Sequence, residues 1–377
     1  MRDGKLHVLF IVSRCPVCGT VNVLRDILRY CSDREFSFSL ITTLPEYPDN
    51  SVLSEFTARM EHIFVPMSVA KGLLGMWGDV KRAIDNLSPD VIHSTWIVPD
   101  RLVSRLYPGK QLMILHSDFL PDYAYSYGLF PGLFLTWLHL RAVRRAKAVI
   151  AVSESLAGIF RKKYRITAPF IQNGITVSDP SPRDKQALRK ILGLPENRKV
   201  FVCAATLCRR KDQRFLIKAF RSASEKGPLL LLLGDGPDEG RLRKSAQNSE
   251  NIRITGFVFN VADYLAAADY YVSASRSEGL PLSVLEAMGH GLVPLLSDIP
   301  QHREIISLTG GYGECFALHD KASFLDALHR LMEKDYEQAQ ECCRENVRRY
   351  FNAEAMSYAY QEHYRRIGAK GGDHDGS

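Results

Sequence analysis

The sequence is poor in cysteine, lacks a long apolar run and has no second metal-type cluster. Eight cysteines in 377 residues are too few for a disulfide scaffold, and with no secretion signal they are expected to be reduced thiols. No stretch approaches the roughly eighteen uninterrupted apolar residues of a membrane-spanning helix, and the early run Val8–Val12 is too short for a signal-peptide core. The chain is therefore expected in the cytoplasm. Cys15 and Cys18 form the one CxxC, and no second CxxC or paired His cluster completes a four-ligand zinc site, so they read as a loop carrying two thiols. Nor does one sign of charge dominate: 49 Lys and Arg against 42 Asp and Glu leave +7, a balance that suits anionic ligands, nucleic acid or acidic lipid.

What is present is the composition of a folded chain, with 46% hydrophobic and 24% charged residues and length for about two domains. Short apolar runs alternate with amphipathic segments, the pattern of parallel sheets covered by helices. The expected strands of the first half are Leu6–Val12, Ser37–Thr42, Ile63–Val65, Val91–His93, Leu112–His116, Ala148–Val152 and Phe170–Gln172, with helices at Val21–Tyr30, Ala70–Asn86, Gly132–Arg145 and Glu154–Tyr164. The breaker-rich run Asn173–Arg183 reads as a linker. A second series follows, with strands Val200–Ala204, Leu229–Leu233, Ile252–Thr255, Tyr270–Ser273 and Val293–Leu296, and helices starting near Asp212, Asp238, Val261, Leu282 and Gln301. The fold class is α/β, two doubly wound Rossmann-like domains facing across a cleft: residues 1–175, residues 176–345, a C-terminal helix over 346–367 and a disordered tail over 368–377.

Ligands of open parallel sheets bind beyond the carboxyl ends of the strands. There, Ser275-Arg-Ser-Glu-Gly-Leu-Pro-Leu-Ser-Val-Leu-Glu286 reads as an anion and diol site. Gly279 permits an unusual turn, Pro281 suits a first helical position, and the N–H groups of Leu282, Ser283 and Val284 would point at a phosphate. Glu286, one turn into the helix, suits two ribose hydroxyls, and Glu278 a sugar hydroxyl. The plain alternative is ordinary helix capping.

Two Glu separated by seven residues in this setting resemble the signature of the retaining family-four glycosyltransferases with the GT-B fold. Asn173-Gly174, Ala151-Val-Ser-Glu154, Gly234-Asp-Gly-Pro237 and Thr255-Gly-Phe-Val258 resemble further family segments in order, from Val8 to about Arg366. The resemblance implies a nucleotide-sugar donor, with Glu286 on its ribose, Glu278 on the transferred sugar, Leu282, Ser283 and Val284 near the diphosphate, Gly234 in the glycine-rich loop and Phe257 in the base-contact loop. No resident cofactor is implied.

Lys211, in Ala204-Ala-Thr-Leu-Cys-Arg-Arg-Lys-Asp-Gln213, is placed to meet the charge that builds on the leaving diphosphate. The family usually has Arg where this chain has Thr206, so Arg209 or Arg210 is expected to substitute, or donor activation is weaker. In the first half the family often shows a glycine run; here Gly19 stands alone as the close-approach residue. His116 matches the family's His on the acceptor side, with His93 read as structural and Asp118 as an alternative base. The resemblance implies no protein nucleophile; a donor phosphate oxygen takes the acceptor proton. No metal is expected, because Lys211, its neighbouring Arg and the helix start supply positive charge, and the one Asp-x-Asp, Asp373-His-Asp375, falls in the tail.

The expectation is a retaining, metal-independent transferase moving a hexose or N-acetylhexosamine from a UDP-sugar, or from GDP-mannose, to a growing or lipid-linked cell-surface glycan. Arg141–Arg165 holds eight Lys or Arg against the single acid Glu154, after the apolar run Leu129–Leu140. That reads either as a core helix with a basic end or as a peripheral dock on the anionic inner face of the cell membrane. No nucleic-acid reading motif accompanies the charge. A NAD-dependent oxidoreductase is the rival enzyme class, though in Gly234-Asp-Gly-Pro-Asp-Glu-Gly240 the last glycine comes one place late for a dinucleotide fingerprint. A non-catalytic nucleotide-sugar-binding scaffold is the third class, kept open by Thr206.

Overall fold

Apolar runs of strand length form two separate parallel sheets in a computed structural model that describes residues 4–47, 50–66, 72–177, 184–222, 227–308 and 310–369. The first series runs β1 Leu6–Val12, α1 Gly19–Arg29, β2 Phe36–Thr42, β3 His62–Phe64, α2 Gly72–Leu87, β4 Val91–Ser94, α3 Ile97–Leu106, β5 Gln111–Leu115, α4 Phe119–Tyr127, α5 Leu129–Val143, β6 Ala148–Ala151 and α6 Glu154–Tyr164. The second runs α7 Lys185–Ile191, β7 Val200–Ala204, α8 Gln213–Ser222, β8 Leu229–Leu233, α9 Glu239–Ala246, β9 Ile252–Gly256, α10 Val261–Ala267, β10 Tyr270–Ser273, α11 Leu282–Gly289, β11 Val293–Ser297, α12 Pro300–Leu308, β12 Glu314–Phe316, α13 Lys321–Glu333 and α14 Tyr336–Tyr350, before α15 Ala353–Ala369. Residues Met1–Gly174 with Ala353–Ser377 make one compact unit, and Ile175–Asn352 the other.

Both sheets have the same strand order. The first reads β3-β2-β1-β4-β5-β6, and the second, taken from its other edge, reads β9-β8-β7-β10-β11-β12. This is the doubly wound Rossmann order, in which the crossover reverses direction beside the first strand and opens a crevice there. In the first sheet the reversal lies between β1 and β4, and in the second between β7 and β10. Strands buried on both faces need no polar alternation, and β8 is accordingly five consecutive leucines, all buried. In the first unit α15 lays Tyr360 and Tyr364 over the sheet, with the His93 ring 5.9 Å from each. Phe201 stacks on Tyr270 at 4.6 Å in the second.

Several elements depart from expectation. Phe170–Gln172 is no strand; Phe170 makes an isolated bridge to Ala151. Helices α3 and α4 were not expected, and α5 opens three residues before Gly132. Each of the three carries a proline in its first turn, Pro99, Pro121 and Pro131, where a missing N–H costs nothing. The helix expected over 346–367 is two helices parted at Phe351 and Asn352, so that α14 belongs to one unit and α15 to the other. Gly368 and Ala369 close α15. The tail from 370 and the linker over 178–183 lie outside the described residues.

Candidate active site

At the reversal of the second sheet, the loops after β7 and β10 bring two cations to one carboxylate. Lys211 Nζ donates to Glu278 Oε1 at 2.5 Å, and Arg210 Nη1 reaches Glu278 Oε2 at 3.2 Å and the Ser277 carbonyl at 2.7 Å. The Arg276 N–H donates to the Arg210 carbonyl at 2.9 Å and holds the two loops together. Burial raises the Glu278 carboxyl, but the charges of Lys211 and Arg210, with hydrogen bonds from Lys211 and Ser275, outweigh it and bring it down to about 2. The cluster is therefore one carboxylate with two cations, a surplus of one positive charge. Behind it, His302 is fully buried, with Nδ1 2.8 Å from the Ser297 carbonyl and Nε2 lacking a hydrogen-bond partner. Burial holds His302 down to about 4, hence neutral.

The neighbouring loops fit against this one by backbone contact. Gly234 has φ 126, and a β-carbon there would stand 2.4 Å from the Ala205 carbonyl oxygen; at Gly236 the same atom would meet Leu207 O at 2.5 Å. Helix α11 begins at Leu282, with Pro281 as its N-cap rather than its first residue. The Val284 N–H donates to Pro281 O at 3.1 Å, which leaves Leu282 and Ser283 to present the first N–H groups of the helix. The Ser283 hydroxyl lies 2.8 Å from the Tyr271 hydroxyl. After β9, Phe257 is 43% and Phe259 89% exposed, packed edge to face with centroids 5.0 Å apart.

The first unit has a pocket of about 400 Å³ at its own sheet's reversal, lined from the loops after β1, β4 and β5 and from α4. His116 stands on its wall with Nε2 lacking a partner, and burial pushes its ring down to about 4. Beside it lie Trp96, Tyr123, Asp100 and His139. His139 Nε2 is 2.8 Å from Asp100 Oδ2, and His139 Nδ1 is 2.7 Å from the Tyr123 hydroxyl. Burial raises the Asp100 carboxyl against the opposing bonds from His139 and Ser94.

Two family descriptions match the chain in tandem: "Glycosyltransferase Family 4" over residues 17–179 and "Glycosyl transferases group 1" over residues 184–350. The chain belongs to glycosyltransferase family 4. The chain is 30% identical over 243 residues to a putative teichuronic acid biosynthesis glycosyltransferase, TuaC, of Bacillus subtilis, covering 62% of this chain and 57% of that one, so the match spans little more than half of the relative. It is 26% identical over 350 residues to an Escherichia coli UDP-Gal:alpha-D-GlcNAc-diphosphoundecaprenol alpha-1,3-galactosyltransferase, covering 88% and 89% of the two chains. The fold is that of sucrose-phosphate synthase from Thermosynechococcus elongatus, with a TM-score of 0.81 over 97% of this chain and 100% of that one at 18% identity.

For this family-4 chain the structure sorts the expected residues. Lys211, Arg210 and Glu278 meet, with α11 and its Ser283 and Glu286 following on the same loop. Arg209 does not join them; it is exposed and lines a separate pocket of about 610 Å³ with Arg214 and Arg241. Of the two arginines expected to substitute for the one that Thr206 replaces, Arg210 is the one that reaches Glu278. Gly279 is not among the glycines of positive φ, so the turn there uses ordinary backbone. Gly19, first residue of α1 and exposed, and His116 belong to the other unit. Asp118 does not line the pocket, because Lys163 Nζ at 2.8 Å and the Tyr164 hydroxyl hold its carboxylate toward α6. Cys15 is buried and pushed up to about 12, first by burial and then by Glu46, and burial also raises Cys18, so both stay thiols. The sequence reading missed His302, Asp100, His139 and Tyr123; Asp100 and His139 pair across 39 positions, and His302 bonds to Ser297 five positions away without forming a recognised motif.

Proposed function

We propose that this chain is a retaining glycosyltransferase that moves a hexose or N-acetylhexosamine from a UDP-sugar to a growing, lipid-linked cell-surface glycan, with GDP-mannose as the alternative donor. The observation that carries the reading is the Lys211–Glu278–Arg210 cluster at the reversal of the second sheet, whose surplus positive charge suits a diphosphate. In this reading Lys211 and Arg210 stabilise the charge that builds as the glycosyl bond breaks, aided by the first N–H groups of α11. Glu278 orients the transferred sugar, Glu286 holds the ribose and Phe257 meets the base. A diphosphate oxygen takes the acceptor proton as the new bond forms on the face it leaves, which retains configuration. The cations of the cluster make a divalent ion unnecessary. The relative matched over 88% of this chain is named for a UDP-galactose donor and a diphosphoundecaprenol acceptor, which supports UDP and a lipid-linked acceptor.

The surface of α4 and α5 supports a bilayer as the second partner. Phe130 is 82%, Phe134 59% and Trp137 51% exposed, and Arg141 lies over the Trp137 ring at 4.9 Å. Exposed Arg144, Arg145 and Lys147 follow. Aromatic side chains beside cations are the chemistry of an anionic lipid surface. This face is the peripheral dock.

Thermal unfolding with UDP, GDP, ADP and NAD, each with and without EDTA, tests the donor reading, since a ligand at one hundred times its dissociation constant adds about 2.7 kcal/mol. A shift with UDP, unchanged by EDTA, is expected. A shift with NAD alone replaces the reading with an oxidoreductase, and no shift with any nucleotide replaces it with a scaffold that has lost the donor.

A further inference from the structure

The first-unit pocket contains a directional hydrogen-bond chain that ends on a tyrosine. The Gln111 amide is fixed first: Nε2 lies 3.0 Å from the Asp100 carbonyl oxygen, where only a donor fits, and 2.8 Å from Ser94 Oγ. Ser94 thus accepts from Gln111 and gives its own hydrogen to Asp100 Oδ1 at 2.6 Å. With the imidazole neutral, Asp100 Oδ2 takes the Nε2–H of His139, which leaves His139 Nδ1 bare to accept the Tyr123 O–H. Phe119 stacks on the His139 ring at 3.9 Å and fixes its plane. With its hydrogen committed to His139, the hydroxyl oxygen of Tyr123, a residue that lines the pocket, has only lone pairs left to offer.

The pocket wall adds a second feature. Trp96 has φ 73 and ψ 155, a region that side chains avoid at a cost of order 1–3 kcal/mol and that concentrates at functional sites. Trp96 lines the cavity together with Tyr123. An aromatic platform next to an acceptor-only oxygen suits a sugar ring, with an apolar face to stack and a hydroxyl to donate. A buried Asp–His pair is poor value as a stabilising element, since an apolar pair of similar volume does as well.

We propose that Tyr123 accepts a hydrogen bond from a hydroxyl of the acceptor sugar in this pocket, and that His139 and Asp100 are positioning residues that set the direction of its proton. The proposal rests on the transferase reading above. Tyr123→Phe removes the oxygen alone. Asp100→Asn keeps the shape but offers an N–H to His139 Nε2, moves the ring proton to Nδ1 and turns the tyrosine hydrogen outward, the tautomer logic known from serine hydrolases.

The test titrates the full chain with N-acetylglucosamine and with methyl glucoside, followed by tryptophan fluorescence because Trp96 lines the site. The wild type is expected to saturate, and both variants to bind about tenfold more weakly with an unchanged UDP shift, while Tyr123→Phe also lowers the melting temperature because the buried His139 Nδ1 loses its donor. Equal binding by wild type and Tyr123→Phe overturns the proposal, as does the absence of saturable binding in the wild type. Should Asp100→Asn fail to fold, Tyr123→Phe decides alone. Sugar binding without any UDP shift instead sinks the transferase reading, so the two failures are told apart.

Discussion

Lys211 Nζ stands 2.5 Å from Glu278 Oε1 across 67 positions of sequence, and Arg210 approaches the other oxygen of the same carboxylate. Removing Lys211 leaves a buried carboxylate with one cation in place of two. Lys211→Ala is expected to lower turnover by about a hundredfold or more while UDP affinity changes by less than about tenfold. Steady-state kinetics beside calorimetric titration with UDP separates the two, and equal losses in both would place Lys211 in ground-state binding.

The same pair gives stability a pH dependence. Glu278 is held at about 2 in the folded chain, below the roughly 4.3 of an unfolded glutamate. Its contribution is fully present above pH about 4.3 and is lost as pH falls toward 2, with a slope of at most about 1.4 kcal/mol per pH unit. Lys211→Ala raises the folded value and shrinks that loss. Urea unfolding at pH 5, 4 and 3 should show the variant, less stable at pH 5, closing on the wild type at pH 3.

If the proposed donor site is right, Glu286→Ala is expected to weaken nucleotide binding about tenfold. The readout is the UDP-induced shift in melting temperature set against the melting temperature without ligand. An undiminished shift removes Glu286 from the donor site.

Gly234→Ala forces a β-carbon to 2.4 Å from the Ala205 carbonyl at φ 126. Strain of both kinds should cost about 2–4 kcal/mol, read as a lower urea midpoint. Gly240→Ala is the control, since a β-carbon there meets nothing within 4 Å.

Phe130→Ser with Phe134→Ser should abolish sedimentation with phosphatidylglycerol vesicles and leave urea stability within about 0.5 kcal/mol, because both rings are already exposed. Binding that persists in the double variant moves the lipid contact elsewhere.

The sheets were legible because strands such as Leu229–Leu233 are continuous apolar runs, and the candidate site's Glu278 and Glu286 stood out because they share one local segment. Helices α3 and α4 were hidden by Pro99 and Pro121, which read as breakers until their first-turn positions are known. The Asp100–His139 pair, 39 positions apart, carries no local motif at either end, so only the folded chain unites it. The break at Phe351 and Asn352 was masked by helical sequence running from Asp335 to Ile367. A change of unit leaves no mark on a helical pattern that continues on both sides of it.

The helix α15 that lies over the first sheet is the last described element to be synthesised. Tyr360 and Tyr364, wholly buried against strands made at the very start, do not exist while the whole of Ile175–Asn352 is being translated. A nascent first unit leaving the ribosome therefore keeps the rings of His93 and Phe36 uncovered until the whole second unit has been translated. That interval is when chaperone holding would matter most, and a stop codon shortly before Ala353 would spare every residue of the second unit yet release a chain whose first unit lacks the helix covering its sheet.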